Sequence, residues 1–243
     1  MANIAAYRFV DIDDPAALRE HARRVCTAAG VKGTVLVASE GINLFLAGSE
    51  AAVRQALGGL QSDPRLAGLQ ARWSYSPVLP FRRLRVKVKP EIVTLRRDGF
   101  DRRSAPAPAL PPEMLRQWLD EGRDIVLLDT RNAWEVAAGT FEGAIDPGIQ
   151  RFSEFASRLQ EHSALRERTV VTFCTGGIRC EKAAPLMRAA GFRDVWQLEG
   201  GILNYFERCG SAHWQGDCVV FDERGALQPD LSPRQPQADQ GAA

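Results

Sequence analysis

The chain has 243 residues, 45% of them hydrophobic and 25% charged, with a formal net charge of +1. That balance is ordinary for a globular protein and leaves room for two compact domains. No apolar run approaches the roughly 18 residues of a membrane helix, Met1 to Asp14 lacks the layout of a secretory signal, and no membrane partner is expected. Five cysteines, odd in number and without Cys-x-x-Cys pairing, argue for a reducing, cytoplasmic setting. His21, His162 and His213 lack metal-ligand spacing, so no metal site is expected.

Charge is divided unevenly. Residues 1–103 hold 17 Lys/Arg against 10 Asp/Glu, and residues 104–243 hold 14 against 20. Two domains with one basic face are expected from this split.

In chain order, Ile4 to Val10 reads as a strand. Asp13-Asp14-Pro15 starts a helix over Ala16 to Ala29 that ends at Gly30. Gly33 to Ala38 and Ile42 to Ala47 read as strands around Ser39-Glu40-Gly41. A helix follows over Glu50 to Leu60 and a strand over Gln70 to Ser76. The order β-α-β-β-α-β predicts a ferredoxin-like or acylphosphatase-like α+β domain over residues 1–97.

Arg82 to Lys89 alternates cleanly, with Leu84, Val86 and Val88 on one face and Arg83, Arg85, Lys87 and Lys89 on the other. Cations on one strand face repeat every ~6.6–7 Å, matching a ladder of nucleic-acid phosphates. An amphipathic strand with a solvated outer face has the same pattern. The charge asymmetry favours RNA, with Arg96, Arg97, Arg102 and Arg103 extending the patch. Trp73, Tyr75 and Phe81 have the chemistry to stack a base, but core packing is the simpler expectation for them. Glu91 to Leu95 reads as strand-like, and residues 98–111 as a Pro/Ala/Arg-rich linker.

The rest predicts a parallel α/β domain over residues 112–210. Its elements are a helix over Glu113 to Glu121, a buried strand over Ile125 to Asp129, the stretch Trp134 to Ala138 and a turn at Glu142-Gly143-Ala144, a helix over Phe152 to Leu159, and a buried strand over Thr169 to Phe173. A helix over Glu181 to Ala190, a strand over Val195 to Leu198 and a last helix toward Cys209 complete it. Asp129 and Cys174 both follow the carboxyl ends of strands, so they are expected to converge on one pocket. Residues 211–243 form a C-terminal extension, with disorder expected after Leu227.

Between the strand ending at Phe173 and the next helix lies Cys174-Thr175-Gly176-Gly177-Ile178-Arg179. A cysteine at a strand end, a glycine turn and a helix N-terminus make an anion cradle that favours thiolate over thiol. Cys174 is therefore the expected nucleophile. Arg179 is the expected anion-orienting group, and Thr175, Gly176, Gly177, Ile178 and Cys180 form the cradle. From Cys174 to Arg179 the loop has six residues, one fewer than the cysteine-phosphatase pattern. It resembles the persulfide-carrying loop of rhodaneses.

The rhodanese resemblance extends further. Val126 to Asn132 followed by Glu135 looks like the rhodanese Asp-x-Arg signature. Phe141 to Ile145 looks like the Gly-His-Ile-x-Gly-Ala region, with Thr140 where histidine is usual, and Leu198-Glu199-Gly200-Gly201 resembles the last motif. Together with Gly33 to Asn43, Lys87 to Leu95, Cys174 to Ala183 and Val220 to Arg224, these stretches are similar to the TrhO family of oxygen-dependent tRNA uridine hydroxylases. The resemblance implies an acylphosphatase-like domain before a rhodanese-like parallel-sheet domain. It also implies formation of 5-hydroxyuridine at the tRNA wobble position and a required cysteine at Cys174. Molecular oxygen is the implied co-substrate; no other cofactor is identifiable. Longer members carry a cysteine-rich segment after the Val-Phe-Asp-x-Arg motif; no cysteine follows it here.

Asp129 and Arg131 are expected to support the pocket as an ion pair, and Glu199 to be structural. Cys180 either resolves an oxidised or persulfidated Cys174 or packs as a small apolar residue. Cys26, Cys209 and Cys218 read as packing residues. Two rivals remain at this point. One is a sulfurtransferase carrying a Cys174 persulfide, which would need no basic N-terminal domain. The other is a non-catalytic RNA-binding module, which would need no Cys174.

Overall fold

The computed structural model describes residues 1–234. Of the tail after Leu227, for which disorder is expected, residues 235–243 lie outside the described residues.

The N-terminal unit runs β1 (Ala2–Phe9), α1 (Pro15–Ala28), β2 (Lys32–Ala38), β3 (Gly41–Gly48), α2 (Glu50–Gln61), β4 (Ala71–Tyr75) and β5 (Leu84–Val88). The sheet order is β4-β1-β3-β2-β5, with β5 parallel to β2 and the remaining pairs antiparallel. Asp14 caps α1 by accepting from the Ala17 N–H at 2.9 Å, and Pro15 occupies the first turn. Leu18, Ala22 and Cys26, spaced by four, put one face of α1 on the sheet, and Val53, Ala56 and Leu60 do the same for α2.

Both helices cover the same face of the sheet. Period-two alternation therefore buries Ile4, Ala6, Val35, Val37, Leu44, Leu46 and Val86 under them. The other face is left to Ala5, Tyr7, Asn43, Phe45, Thr34 and Leu36. That open face becomes one wall of the candidate site.

The second unit is built on four parallel strands. They are β6 (Ala109–Leu110), β7 (Ile125–Asp129), β9 (Thr169–Phe173) and β10 (Asp194–Leu198), in the order β6-β10-β9-β7. Around them are α3 (Pro112–Asp120), α4 (Ala133–Val136), α5 (Phe155–Arg158), α6 (Cys180–Ala189) and α7 (Gly201–Cys209). Antiparallel pairing joins β8 (Gly139–Phe141) to β11 (Trp214–Gly216), and β12 (Cys218–Val219) to β13 (Ala226–Leu227).

Four sequence expectations are corrected here. Glu91 to Leu95 is not a strand: Glu91 accepts from the N–H groups of Leu95 and Arg96, both at 2.9 Å, and curls the chain into a turn. Leu95 leaves the first domain's core and packs with Phe152, Leu186 and Met187 of the second. The supposed linker ends in β6, and its Phe100 and Ala107 pack against that same cluster. The expected helix over Phe152 to Leu159 divides into a 3-10 turn, the short α5 and a second 3-10 run. Residues 228–234 of the tail are ordered by contacts: Leu231 packs on the second core and Arg234 pairs with Asp217 at 3.1 Å.

The two units are joined through the helix that follows the cysteine loop. Lys182 on α6 is 3% exposed and reaches Glu40 at 2.9 Å, Glu91 at 2.6 Å and the Val93 carbonyl at 2.9 Å. A desolvated ammonium with two carboxylates and a carbonyl is fully satisfied, so it fixes the first sheet against the loop.

Candidate active site

Cys174 sits just past β9, 1% exposed, at the floor of a cavity of about 350 Å³ between the two units. That size lies in the usual range for small-ligand sites. One wall is the open sheet face, with Ala5, Tyr7, Asn43, Phe45 and Arg72. The other is the loop itself with Glu199 and Gly200, and Val220 to Asp222 close one side.

The Gly177 N–H donates to Cys174 Sγ at 3.2 Å. The N-terminus of α6 adds partial positive charge from behind. Burial alone would push the Cys174 thiol up. A hydrogen bond from Cys180, the Arg179 charge and the backbone N–H groups of Arg179 and Cys180 outweigh it and lower the thiol to about 6. The other four thiols all go the opposite way. Burial pushes Cys26 and Cys218 up to about 12 and raises Cys209 and Cys180. One cysteine in five is thus poised as a nucleophile.

Glycines allow this packing. Gly177 has φ +92°, and a Cβ there would lie 3.0 Å from the Tyr7 hydroxyl. The first turn of α7 ties the loop down through Ile202 N–H to the Cys174 carbonyl at 2.9 Å and Leu203 N–H to the Thr175 carbonyl at 3.0 Å. Those helix donors serve the loop's own backbone. Thr175 Oγ1 adds a bond to the Val219 carbonyl at 3.4 Å.

Arg179 is 8% exposed and lines the cavity. Its guanidinium is held from behind by fully buried Glu135, at 3.0–3.2 Å. Glu135 also accepts from the Asn132 N–H at 3.1 Å, in a capping box that starts α4.

Asp129 and Cys174 do not converge on one pocket, contrary to expectation. Asp129 and Arg131 are both 0% exposed and outside the cavity lining. Arg131 makes a bidentate pair with Asp129 and donates to the Gly139 carbonyl at 2.6 Å. Thr140, in the place of the usual histidine, donates to Asp129 at 2.9 Å. The strand-end aspartate is turned back by its own neighbour two residues on, a contact that topology alone does not foresee.

Cys180 is buried at the start of α6, 3.7 Å from Thr130 Oγ1. Gly176 and Ile178 line the loop side of the cavity or adjoin it. Glu199 is exposed at the rim, and its carbonyl accepts from Asn204 at 2.7 Å. Arg83, Arg85, Lys87 and Lys89 are exposed on or beside β5, outside the cavity lining. Arg102 turns toward the site, 4.4 Å over the Phe9 ring and 3.6 Å from Glu181, whereas Arg103 pairs with Asp11. Trp73 packs on the first core as well as lining the cavity, with Arg54 over its ring at 4.8 Å.

Residues 1–92 match the family model of the UPF0176 acylphosphatase-like domain, and residues 111–208 match that of the rhodanese-like domain. The chain is 53% identical to the tRNA uridine(34) hydroxylase of Variovorax paradoxus over 99% of this chain and 94% of that protein. It is 52% identical to the protein of the same name from Bordetella petrii, over 96% and 95%. This chain belongs to the tRNA uridine(34) hydroxylase family. A further relative of that name, from Xanthomonas euvesicatoria, is 51% identical over 95% of this chain and 96% of its own.

For this member of the tRNA uridine(34) hydroxylase family, the sequence motifs mark the loop and touch its opposite wall only at Asn43, the end of the Gly33 to Asn43 stretch. Tyr7 and Phe45 carry no motif; only the side of the sheet left open by α1 and α2 selects them. Tyr7 hydrogen-bonds Glu181, and burial raises both groups above their ordinary values. Arg72 comes from β4 to the same wall.

The lowered thiol has a measurable consequence. The Cys174 thiol is lowered to about 6, so its alkylation by iodoacetamide is expected to stay nearly flat from about pH 7 upward and to fall to half near pH 6. An ordinary thiol would still be gaining rate toward 9. Peptide-resolved mass spectrometry across pH 5–9 checks this. Arg179→Gln removes a charge that favours the thiolate, so the midpoint is expected to rise.

Proposed function

We propose that this chain hydroxylates C5 of the wobble uridine of tRNA to 5-hydroxyuridine, in the cytoplasm, with molecular oxygen as co-substrate and Cys174 as the reactive group. The observation that carries the reading is the placement of a lowered thiol at the floor of a cavity whose other wall is the N-terminal sheet. A sulfurtransferase loop acting alone needs no such wall.

The sheet register supports RNA as the substrate. Thr34 pairs with Arg85 and Leu36 with Lys87, while Phe45 pairs with Thr34 and Asn43 with Leu36. Directly paired residues share a face. Arg85 and Lys87 therefore lie on the open face that bears Phe45 and Tyr7. Strands spaced ~4.8 Å apart put Arg85 about 10 Å from Phe45 along the row. A backbone tracking β5 could leave one base extended over the sheet into the cavity, as base-modifying enzymes require.

In the cavity, thiolate addition at C6 of uracil would move the C5=C6 electron pair toward C5 and O4, enriching the carbon to be hydroxylated. The electron-rich C5 takes up O2 as a hydroperoxide. An external two-electron donor, such as a small-molecule thiol, cleaves its O–O bond, leaving one oxygen on C5 and releasing the other as water. Expulsion of the thiolate with loss of the C5 proton restores the ring. Arg179 and the loop N–H groups hold Cys174 as thiolate for the first step and as leaving group for the last. Among the described residues no helix is long and apolar enough to cross a membrane.

The test is nucleoside mass spectrometry of tRNA from cells lacking the gene, complemented with wild type or Cys174→Ser. 5-Hydroxyuridine derivatives are expected to return only with wild type. Their return with Cys174→Ser would remove the cysteine from the mechanism. If neither restores them, the tRNA reading falls and sulfane-sulfur transfer from thiosulfate becomes the assay to run.

A further inference from the structure

Three aromatic rings from three distant parts of the chain meet beside the cavity. Phe45 comes from β3 on the open sheet face, Trp134 from α4, and Phe221 from the turn between β12 and β13. The ring centroids of Phe45 and Phe221 are 6.2 Å apart, and those of Trp134 and Phe221 are 6.3 Å apart with the planes at 90°. Phe221 also lies over Arg179, 5.6 Å from the guanidinium carbon. Trp134 is 49% exposed and Phe221 44%. Apolar surface left open next to a site marks a binding surface more often than a packing accident.

Phe221 is held out rigidly. Arg224 makes a buried pair with Asp222 and donates to Ser74 of β4 at 2.8 Å. The Glu223 N–H bonds the Pro80 carbonyl at 3.1 Å, and the Val220 N–H bonds the Gly225 carbonyl at 3.0 Å. These bonds tie the turn to the first domain, and Val220 packs in the second domain's core, while the Phe221 side chain stays at the surface. A fixed ring loses little conformational freedom when something stacks on it.

We propose that Phe221 and Trp134, backed by Phe45, form a stacking ledge for one of the two bases that flank the target uridine, so that the anticodon loop is bound as a splayed single strand. This rests on the tRNA reading above. A nucleobase is favoured over an apolar protein segment by three features. The ledge is continuous with the cavity that holds Cys174. The same sheet face carries Arg85 and Lys87 for the backbone. Aromatic rings beside a cationic track also make the usual surface for unpaired bases, which stack on them without regard to sequence.

The experiment is a double-mutant cycle between protein and RNA. Binding of an anticodon stem-loop, and of versions abasic at each position next to the uridine in turn, is measured for wild type, Phe221→Ala and Trp134→Ala. Wild type is expected to lose about ten-fold or more in affinity on the RNA made abasic at one flanking position. Phe221→Ala is expected to bind the intact and abasic RNAs within about two-fold of each other, with Phe221→Tyr restoring the difference. Each variant is compared with itself on two RNAs, so a general loss of folding or binding cancels.

Additive penalties at both flanking positions would overturn the ledge. So would a change in oligomeric state in Phe221→Ala with additive penalties, which would reassign the rings to contact between two copies. Hydroxylation of the intact loop by wild type is scored separately. Coupling without hydroxylation keeps the ledge and rejects the enzymatic reading, and hydroxylation without coupling does the reverse. No binding of the loop by wild type overturns both.

Discussion

Replacing Asp129 by alanine is expected to cost about 3–5 kcal/mol of folding stability, the range seen when one partner of a buried ion pair is removed. Arg131 is 0% exposed and its charge cannot reach water by a change of rotamer. Asp129 accepts from the Arg131 backbone N–H at 3.0 Å, from its Nε at 2.9 Å and from its Nη2 at 2.6 Å. Without the carboxylate, only the Gly139 carbonyl among these acceptors remains for the guanidinium, and Thr140 loses its acceptor too. The exposed pair Arg103–Asp11 has a similar separation, 3.1 Å, yet solvent screens it and removing it should cost far less. Urea denaturation of the two alanine variants separates the cases. The stranded charge is the cause, so Asp129→Ala combined with Arg131→Met should regain most of the loss. An Asp129→Ala cost below that of Asp11→Ala would refute the argument.

This pair also marks a limit of the sequence. Its residue types and spacing foresee an ion pair, but the strand-end rule points Asp129 into the pocket, and the rule is overridden by a side chain two positions away. Strands with a short continuous apolar run, such as Ile125 to Asp129 and Thr169 to Phe173, are legible because both faces are buried and every residue carries the signal. Two-residue strands such as Ala109–Leu110 have no period to detect and exist only because β10 offers a free edge. Glu91 to Leu95 has strand composition, but a carboxylate capping two N–H groups and pairing with Lys182 holds it as a turn. The loop around Cys174 is legible because its chemistry is local. The opposite wall is not, because Tyr7 and Phe45 are ordinary strand residues until the second domain packs against them.

The same closeness of packing makes Gly201→Ala the most damaging small substitution expected near the site. Gly201 has φ +66°, and a Cβ there would sit 2.3 Å from the Cys174 carbonyl oxygen, 2.6 Å from the Gly177 nitrogen and 2.9 Å from the Thr175 carbonyl oxygen. All three are backbone atoms, so no side chain can swing aside and the loop itself must move. Gly177 nitrogen is the donor to Cys174 Sγ. A shift of the order of 1 Å therefore loosens the thiolate's hydrogen bond and displaces the Cys174 sulfur together. Misplacement on that scale is worth about 10²-fold in turnover, and the Cys174 alkylation midpoint should climb from about 6 toward an ordinary thiol value. Gly143→Ala is the control: its φ is +70°, and nothing lies within 4 Å of the added carbon. It imposes the same left-handed strain, about 1–2 kcal/mol, without the collision. Gly143→Ala should lower the denaturation midpoint and leave the alkylation profile where it was. If Gly201→Ala behaved the same way, with the Cys174 midpoint unmoved, contact between the α7 turn and the loop would not be what holds the thiolate in place.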